Sequence, residues 1–315
     1  MTEAVLARFE GRAMGSALRL TMCGATGDAD AVAGEAAWTE VVDEFERSEQ
    51  GMSRFRDASE LTALNRAAGT GVDVAVGRRL ERAMVAADRA RRITGGVFDP
   101  RVLGDLVRLG YEGARLPARG SPVAPRRADA PVVRRTAPGR LRVDRPIDLG
   151  GIGKGLALRW AARRLDGHGT RSYLLEAGGD LVARDAGPVG DGWRVGIEDP
   201  SGGGSPVAVI AARDLGVTTS SIGVHAWVVD GRPVHHLLDP ATGQPGGDGL
   251  LAVTVATADP AWAEVWSKAL FLAGHGGVAH LARARGLAAW WIATDGHVEM
   301  TPAARARTLW VAAES

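Results

Sequence analysis

Lysine is scarce in this chain. Of 38 Lys plus Arg residues, only Lys154 and Lys268 are lysines. Arginine serves wherever a solvated cation suffices, so the two lysines mark positions expected to need a compact ammonium rather than a broad guanidinium. Cysteine is scarcer still. The single Cys23 excludes a disulfide framework and a cysteine zinc cluster. With no Cys/His motif around it, a buried thiol is expected rather than a nucleophile. An excess of one charge is also lacking: the net charge of +1 gives no global field to recruit nucleic acid or a membrane surface. No stretch reaches the roughly 18 apolar residues of a membrane helix. The opening "MTEAVLARFEGRAMGS" has no basic segment followed by an apolar run, as a signal peptide would. The expectation is a cytoplasmic protein with no nucleic-acid partner and no membrane insertion.

What is present is an ordinary globular composition, 45% hydrophobic over 315 residues, with 43 glycines. That length carries a substantial core, and so much glycine implies tight turns and close backbone approaches. The pattern reads as α+β or mixed α/β. "ALRLTMCG" (17–24) reads as a first strand. A helix follows over "EAAWTEVVDEFERSEQGMSRF", with Trp38, Val41, Val42 and Phe45 on its buried stripe. "RRLERAMVAADRARRITGG" is a second amphipathic helix, stopped by Gly95 and Gly96. Residues 113–140, rich in Pro, Arg and Gly, read as an irregular insert. Strands, glycine turns and three further helices fill the remainder, and residues 1–315 are expected to form one domain.

The strongest chemical signal is "DLGGIGKG", Asp148 to Gly155, placed between a strand and a helix. Glycines let backbone N–H groups approach a ligand, a helix N-terminus favours negative charge, and Lys154 adds a cation. The combination suits a phosphate or pyrophosphate. It has neither P-loop nor dinucleotide-fingerprint spacing, and a turn without a ligand is the alternative. "TGGVFDP" holds Asp99 before Pro100 in an extended or turn conformation. "HHLLDPATG" places His236 three residues before Asp239, as a general base or a packed histidine. "EAGGD" sets Glu176 and Asp180 around Gly178 and Gly179. In "MSRFRDASELTALN", Ser59 is a plausible N-cap and Phe55 an aromatic for a planar ring or for the core. "EVWSKALFLAG" is helical, with Glu264 and Lys268 at i, i+4 on one face.

Taken in order, "MGS", "MSRFRDASELTALN", "TGGVFDP", "DLGGIGKG", "LLEAGGDL", "TTSS", "HHLLDPATG" and "VTVATADPAWAEVWSKALFLAG" resemble the FAD:protein FMN transferase (ApbE-like) family. The resemblance implies that family's fold, with an FAD site between two interleaved α+β subdomains. It implies FAD as substrate and a divalent metal, usually Mg²⁺. FMN would be transferred to a Thr or Ser of an acceptor protein, leaving a phosphoester and releasing AMP. FAD hydrolysis to FMN and AMP is one alternative, and a carrier without turnover another. Residue by residue, it implies flavin or FAD contacts at Met14, Phe55 (where many members carry tyrosine), Val97, Phe98, Asp99, Asp148, Lys154, Glu176, Gly178, Gly179, Asp180, Ser220 and Asp239. It makes His236 the base, with Lys154 and the glycine loop supplying part of the phosphate clamp, and Gly151 and Glu264 as metal donors.

The chain departs from that pattern twice. "IGVHAW" after "TTSS" lacks the arginine many members carry. The positions of an oxygen-ligating Asp and Thr are Glu264 and Lys268, and an ammonium cannot ligate a metal. Lys268 then replaces the metal's charge while pairing with Glu264, stands beside a metal, or forms a plain helix ion pair.

Overall fold

The structure is a computed structural model that describes residues 6–24, 28–111, 130–223 and 225–312. It opens with a hairpin, β1 (Leu6–Ala13) and β2 (Ser16–Cys23). Next come α1 (Asp28–Met52), α2 (Glu60–Arg66), β3 (Val74–Ala75), α3 (Arg78–Ile93) and α4 (Leu103–Arg108). The middle of the chain holds β4 (Arg134–Ala137), β5 (Arg140–Arg142), α5 (Gly153–Gly167), β6 (Tyr173–Ala177), β7 (Asp180–Arg184), β8 (Trp193–Ile197), β9 (Ala208–Ala212) and β10 (Leu215–Ser221). Short strands β11 (Ala226–Val229), β12 (Arg232–His235), β13 (Leu238–Asp239) and β14 (Gln244–Pro245) follow. The last elements are β15 (Leu250–Thr257), α6 (Pro260–Leu272), α7 (Gly274–Ala284), β16 (Ala288–Ala293), β17 (Val298–Met300), α8 (Pro302–Arg305) and β18 (Thr308–Val311).

Eight antiparallel strands form the main sheet in the order β1-β2-β6-β7-β10-β15-β16-β17. Both faces are covered, which is why "LLAVTVA" and "AAWWIA" read as continuous apolar runs instead of alternating ones. Alternation still sorts their side chains. Trp291, Val253 and Val255 pack toward the helices, while Trp290, Ile292 and Ala252 pack toward the three-stranded sheet β18-β9-β8. Helices α1 and α5 cover the β2–β6–β7 part through Val41, Phe45, Leu158 and Leu165. Helix α6 lies on β10 and β15, starting from Asp259, whose carboxylate accepts the Ala261 N–H at its N-cap.

The expected mixed α+β class is the observed one. Ser59 caps α2 by accepting from the Thr62 N–H. Three sequence expectations need correction. Val42 is exposed rather than on the buried stripe of α1; it stands one residue, about 100° of turn, from buried Val41. The expected insert at 113–140 contains strand β4, paired with β5; residues 113–129 lie outside the described residues. Strand β1, paired along its length with β2, was not read as a strand at all.

Candidate active site

Two hairpin turns and a helix start meet at one end of the main sheet. Met14 and Gly15 turn β1 into β2 with φ of 50° and 75°. Gly178 and Gly179 turn β6 into β7 with φ of 59° and 88°. Both are two-residue turns needing positive φ twice, and glycine supplies it without a Cβ penalty at three of the four positions. Met14 is the exception, a strained backbone position of a kind that gathers at functional sites. Since β2 pairs with β6, the turns are neighbours, and the Gly178 N–H donates to Ala17 O at 2.9 Å. A Cβ on Gly178 would stand 2.6 Å from Ser16 Cβ and 3.8 Å from Lys154 Nζ. A Cβ on Gly153 would meet Met14 Cε at 3.9 Å. The expected glycine turn, Met14 and the Gly-Gly hairpin are thus one assembly.

Charged groups from α5, α6, β7 and the loop before α2 line it. Lys154 Nζ pairs with Asp180 Oδ2 at 2.7 Å, and Asp180 Oδ1 accepts the Thr219 N–H at 3.2 Å. Burial works against the Lys154 charge, but Asp180 and Glu264 overcome it and raise its pKa. Glu264 Oε2 accepts the Gly155 N–H at 2.7 Å, so a residue of α6 caps the first turn of α5. Its Oε1 is buried without a hydrogen-bond partner. Burial, then the Asp180 charge, pushes the Glu264 carboxyl up to about 8.

Glu264 and Lys268 share a helical face but form no ion pair among the described residues, which corrects the expected i, i+4 bridge. The Glu264 carboxylate is turned to the backbone of α5, and Lys268 lies over the glycine turn instead. A Cβ on Gly151 would fall 2.8 Å from Lys268 Nζ. Burial lowers the Lys268 pKa, opposed first by Asp148. Asp148 Oδ1 accepts the Gly150 N–H at 2.7 Å, and its Oδ2 faces Arg54 Nε at 3.4 Å. Burial would raise the Asp148 carboxyl; Arg54, Lys268 and the Gly150 N–H together hold it below its ordinary value.

His236 stands beside this cluster, half-buried. Its ring centroid lies 5.0 Å from that of His225 and 6.5 Å from that of Tyr111, and the Arg54 guanidinium lies 4.9 Å over the Tyr111 ring. Burial, aided by the Lys268 charge, pushes His236 down to about 3, so the ring is neutral at neutral pH. This folded value lies below the ordinary 6.5. Between the two, the unfolded chain binds the extra proton, so the neutral ring's contribution is complete above about pH 6.5 and is lost as the pH falls toward about 3. Burial lowers His225 and His235 as well. From about pH 7 to about pH 5 the histidines subtract stability while the raised Glu264 carboxyl, which the folded state protonates first, adds to it, so the histidine share is read by difference. In urea unfolding over that range His236→Gln should lose less stability, or gain more, than the wild type, and an identical pH dependence would contradict the assignment.

Arg54, Tyr111 and His225 were missed from sequence. Only Arg54 had a signal available, its place in "MSRF" beside Phe55. Phe55 is 58% exposed, with the Arg54 guanidinium 4.0 Å over its ring. Several expected contacts lie elsewhere. Phe98 is a core residue. The Asp99 carboxylate is engaged by Arg101 at 2.6 Å and Arg91 at 3.5 Å. Val97 packs against the same core as Phe98, although this segment does meet the glycine turn through its backbone, the Asp148 N–H donating to Pro100 O at 2.8 Å. Glu176 alternates to the other face of β6, among Arg19, Glu10 and Arg8, and burial raises its pKa. Ser220 Oγ lies 2.9 Å from Ser267 Oγ of α6, beside Lys268. Asp239 closes its own turn, accepting the Ala241 N–H at 2.8 Å and the Thr242 hydroxyl at 3.1 Å.

The residues do not fit the divalent ion that the resemblance implies. Magnesium takes near-octahedral oxygen ligands. Glu264 has one oxygen committed to Gly155, and the ammonium against Gly151 has no lone pair to give and repels a dication.

Comparison with known proteins points the same way as the assembled motifs. A family model described as the ApbE family matches residues 14–291. The FAD:protein FMN transferase of Treponema pallidum (strain Nichols) is 31% identical over 265 residues, 76% of this chain and 72% of that protein. That of Klebsiella pneumoniae (strain 342) is 32% identical over 151 residues, and the match spans 48% of this chain and 43% of that relative's length. Among solved structures, the apo flavinyl transferase ApbE of Pseudomonas stutzeri superposes with a TM-score of 0.81 at 25% identity, covering 98% of each chain. The flavin transferase ApbE of Vibrio cholerae shares the fold, with a TM-score of 0.78 at 23% identity, 96% of this chain and 99% of that one. With a family match running from the Met14 turn through the glycine turn, His236 and α6, the chain belongs to the ApbE family.

Proposed function

We propose that this chain is an FAD:protein FMN transferase, which splits the pyrophosphate of FAD and joins FMN through a phosphoester to a Thr or Ser of an acceptor protein, releasing AMP. One observation carries the reading: Lys268, Lys154 and Arg54 converge on the Asp148–Gly155 turn, with a neutral imidazole beside them. Met14, Gly178 and Asp180 complete the wall around Lys154. The main sheet draws strands from residue 6 to residue 300, which supports one domain.

In the reaction the acceptor hydroxyl oxygen attacks the phosphorus on the FMN side. A new P–O bond forms, the bond to the AMP phosphate breaks, and AMP leaves with that electron pair. The hydroxyl proton goes to His236. In the free protein its basicity is kept low by burial and, after that, by the facing Lys268 charge; an arriving pyrophosphate offsets that charge and makes the ring a better acceptor. Lys268 and Arg54 stabilise charge on the phosphates.

In-gel flavin fluorescence with a Thr-bearing acceptor, together with chromatography of AMP, tests this. The wild type should give covalent flavin and AMP together. His236→Ala should slow transfer by about a hundredfold while FAD affinity stays within about twofold. Transfer at the full rate would remove His236 as the base, and AMP released without acceptor would make the chain a hydrolase. No described helix is long and apolar enough to cross a membrane. A lone, unpaired Cys23 supports action in the cytoplasm, which fractionation would check.

A further inference from the structure

We propose that Lys268 and Arg54 together take the place of a divalent cation in this chain, so that the pyrophosphate of its dinucleotide is held and neutralised without metal. The proposal rests on the transferase reading for the ligand's identity, and on the following geometry for everything else.

Lys268 is placed where a small cation would meet the glycine turn. Its Cδ, Cε and Nζ lie 2.9, 2.9 and 2.8 Å from the point a Gly151 Cβ would occupy. Any larger residue at 151 would displace the lysine. The ammonium is half-buried, and although the Asp148 charge acts on it, it makes no salt bridge among the described residues. A cation in that state costs free energy unless an anion completes it.

Arg54 supplies a second, independent observation. Its side chain is 7% exposed, and its Nη1 is buried without an acceptor. The guanidinium plane is fixed from several sides, by the Phe55 ring at 4.0 Å, the Tyr111 ring at 4.9 Å and Asp148 Oδ2 at 3.4 Å from Nε. A held guanidinium with a free N–H edge is a preorganised phosphate donor. Both cations flank Asp148, on the turn that leads into α5. Lys154 differs, since its charge is already met by Asp180. Two lysines in an arginine-rich chain are thereby separated into a structural partner and an anion ligand.

The test is titration calorimetry of the full chain with FAD, in EDTA and in millimolar MgCl₂, with riboflavin as the ligand lacking phosphates. Wild-type FAD affinity should change by less than about twofold between the two buffers. Lys268→Thr and Arg54→Gln should each weaken FAD binding in EDTA by about tenfold or more while leaving riboflavin binding within about twofold. Circular dichroism melting checks that each variant is folded. A variant that loses riboflavin equally has lost the pocket itself, which counts against a phosphate-specific role. Wild-type protein that binds FAD only with Mg²⁺, or about tenfold more tightly with it, would overturn the proposal, as would a Lys268→Thr variant unaffected in EDTA. Tight FAD binding in EDTA that yields neither AMP nor covalent flavin once a Thr-bearing acceptor is added would contradict the transferase reading and leave this inference standing.

Discussion

Gly155→Ala is expected to destabilise the protein by about 3 kcal/mol, lowering the melting temperature by about 6–10 °C. A Cβ at this position would lie 2.6 Å from Ala261 Cα, 2.6 Å from Pro260 O and 2.8 Å from Ala261 N. All three are backbone atoms at the start of α6, so no side-chain rotation relieves the overlap. Helix α5 must move away from α6, or α6 from β10, where a Cβ on Gly216 would be 2.4 Å from Pro260 Cα. The same movement breaks the bond from the Gly155 N–H to Glu264 Oε2 and leaves a buried carboxyl unsatisfied. Gly167→Ala is the control. It is the last residue of the same helix, with nothing within 4 Å of its added Cβ, and there alanine should be neutral or stabilising by about 0.5 kcal/mol. Scanning calorimetry of the two variants decides the matter; equal melting temperatures would show that α5 and α6 do not meet as described.

The second large effect is expected from Lys154→Met, about 3 kcal/mol of lost stability. Asp180 is 3% exposed and its Oδ2 relies on Lys154 at 2.7 Å. Removing the ammonium leaves a buried carboxylate, close to a second acid at Glu264, without its counter-charge. The figure is set at the low end for a broken buried pair because the Lys154 side chain is 30% exposed, and water relieves part of the loss. Lys154→Met with Asp180→Asn should recover most of it, since removing both partners leaves no orphan charge. Urea unfolding of the wild type, both single variants and the double variant gives the coupling energy. Strictly additive losses would mean the two residues are independent.

Much of the site was legible in the sequence because it is built from local turn chemistry. Glycine at 178 and 179, the Asp148–Gly155 run and the Asp259-Pro260 start of α6 each announce backbone geometry within a few residues. Strand and helix assignment succeeded for the same reason where periodicity was clear, as in α3. It failed where burial depends on partners distant in sequence. Strand β1 has no apolar alternation of its own and exists because β2 pairs with it. Arg54, Tyr111 and His225 come from three separate loops, and only the fold brings them around His236. Glu264 and Lys268 show the limit most clearly. Their spacing permits an ion pair on an isolated helix, but the neighbouring Gly155 N–H claims one side chain and the glycine turn receives the other. Alternation across the β6–β7 hairpin, where Asp180 pairs with Ala177 and Glu176 with Leu181, likewise separates Glu176 from Asp180, which a linear reading of "EAGGD" groups together.

The most direct test of the account is the structure of this chain with FAD bound. The account predicts the pyrophosphate over the Asp148–Gly155 turn, with phosphate oxygens within hydrogen-bond reach of Lys268 Nζ and Arg54 Nη1 and with His236 on the FMN side. A dinucleotide whose phosphates lie away from that turn, with Lys268 still packed on Gly151 and making no contact, would contradict it.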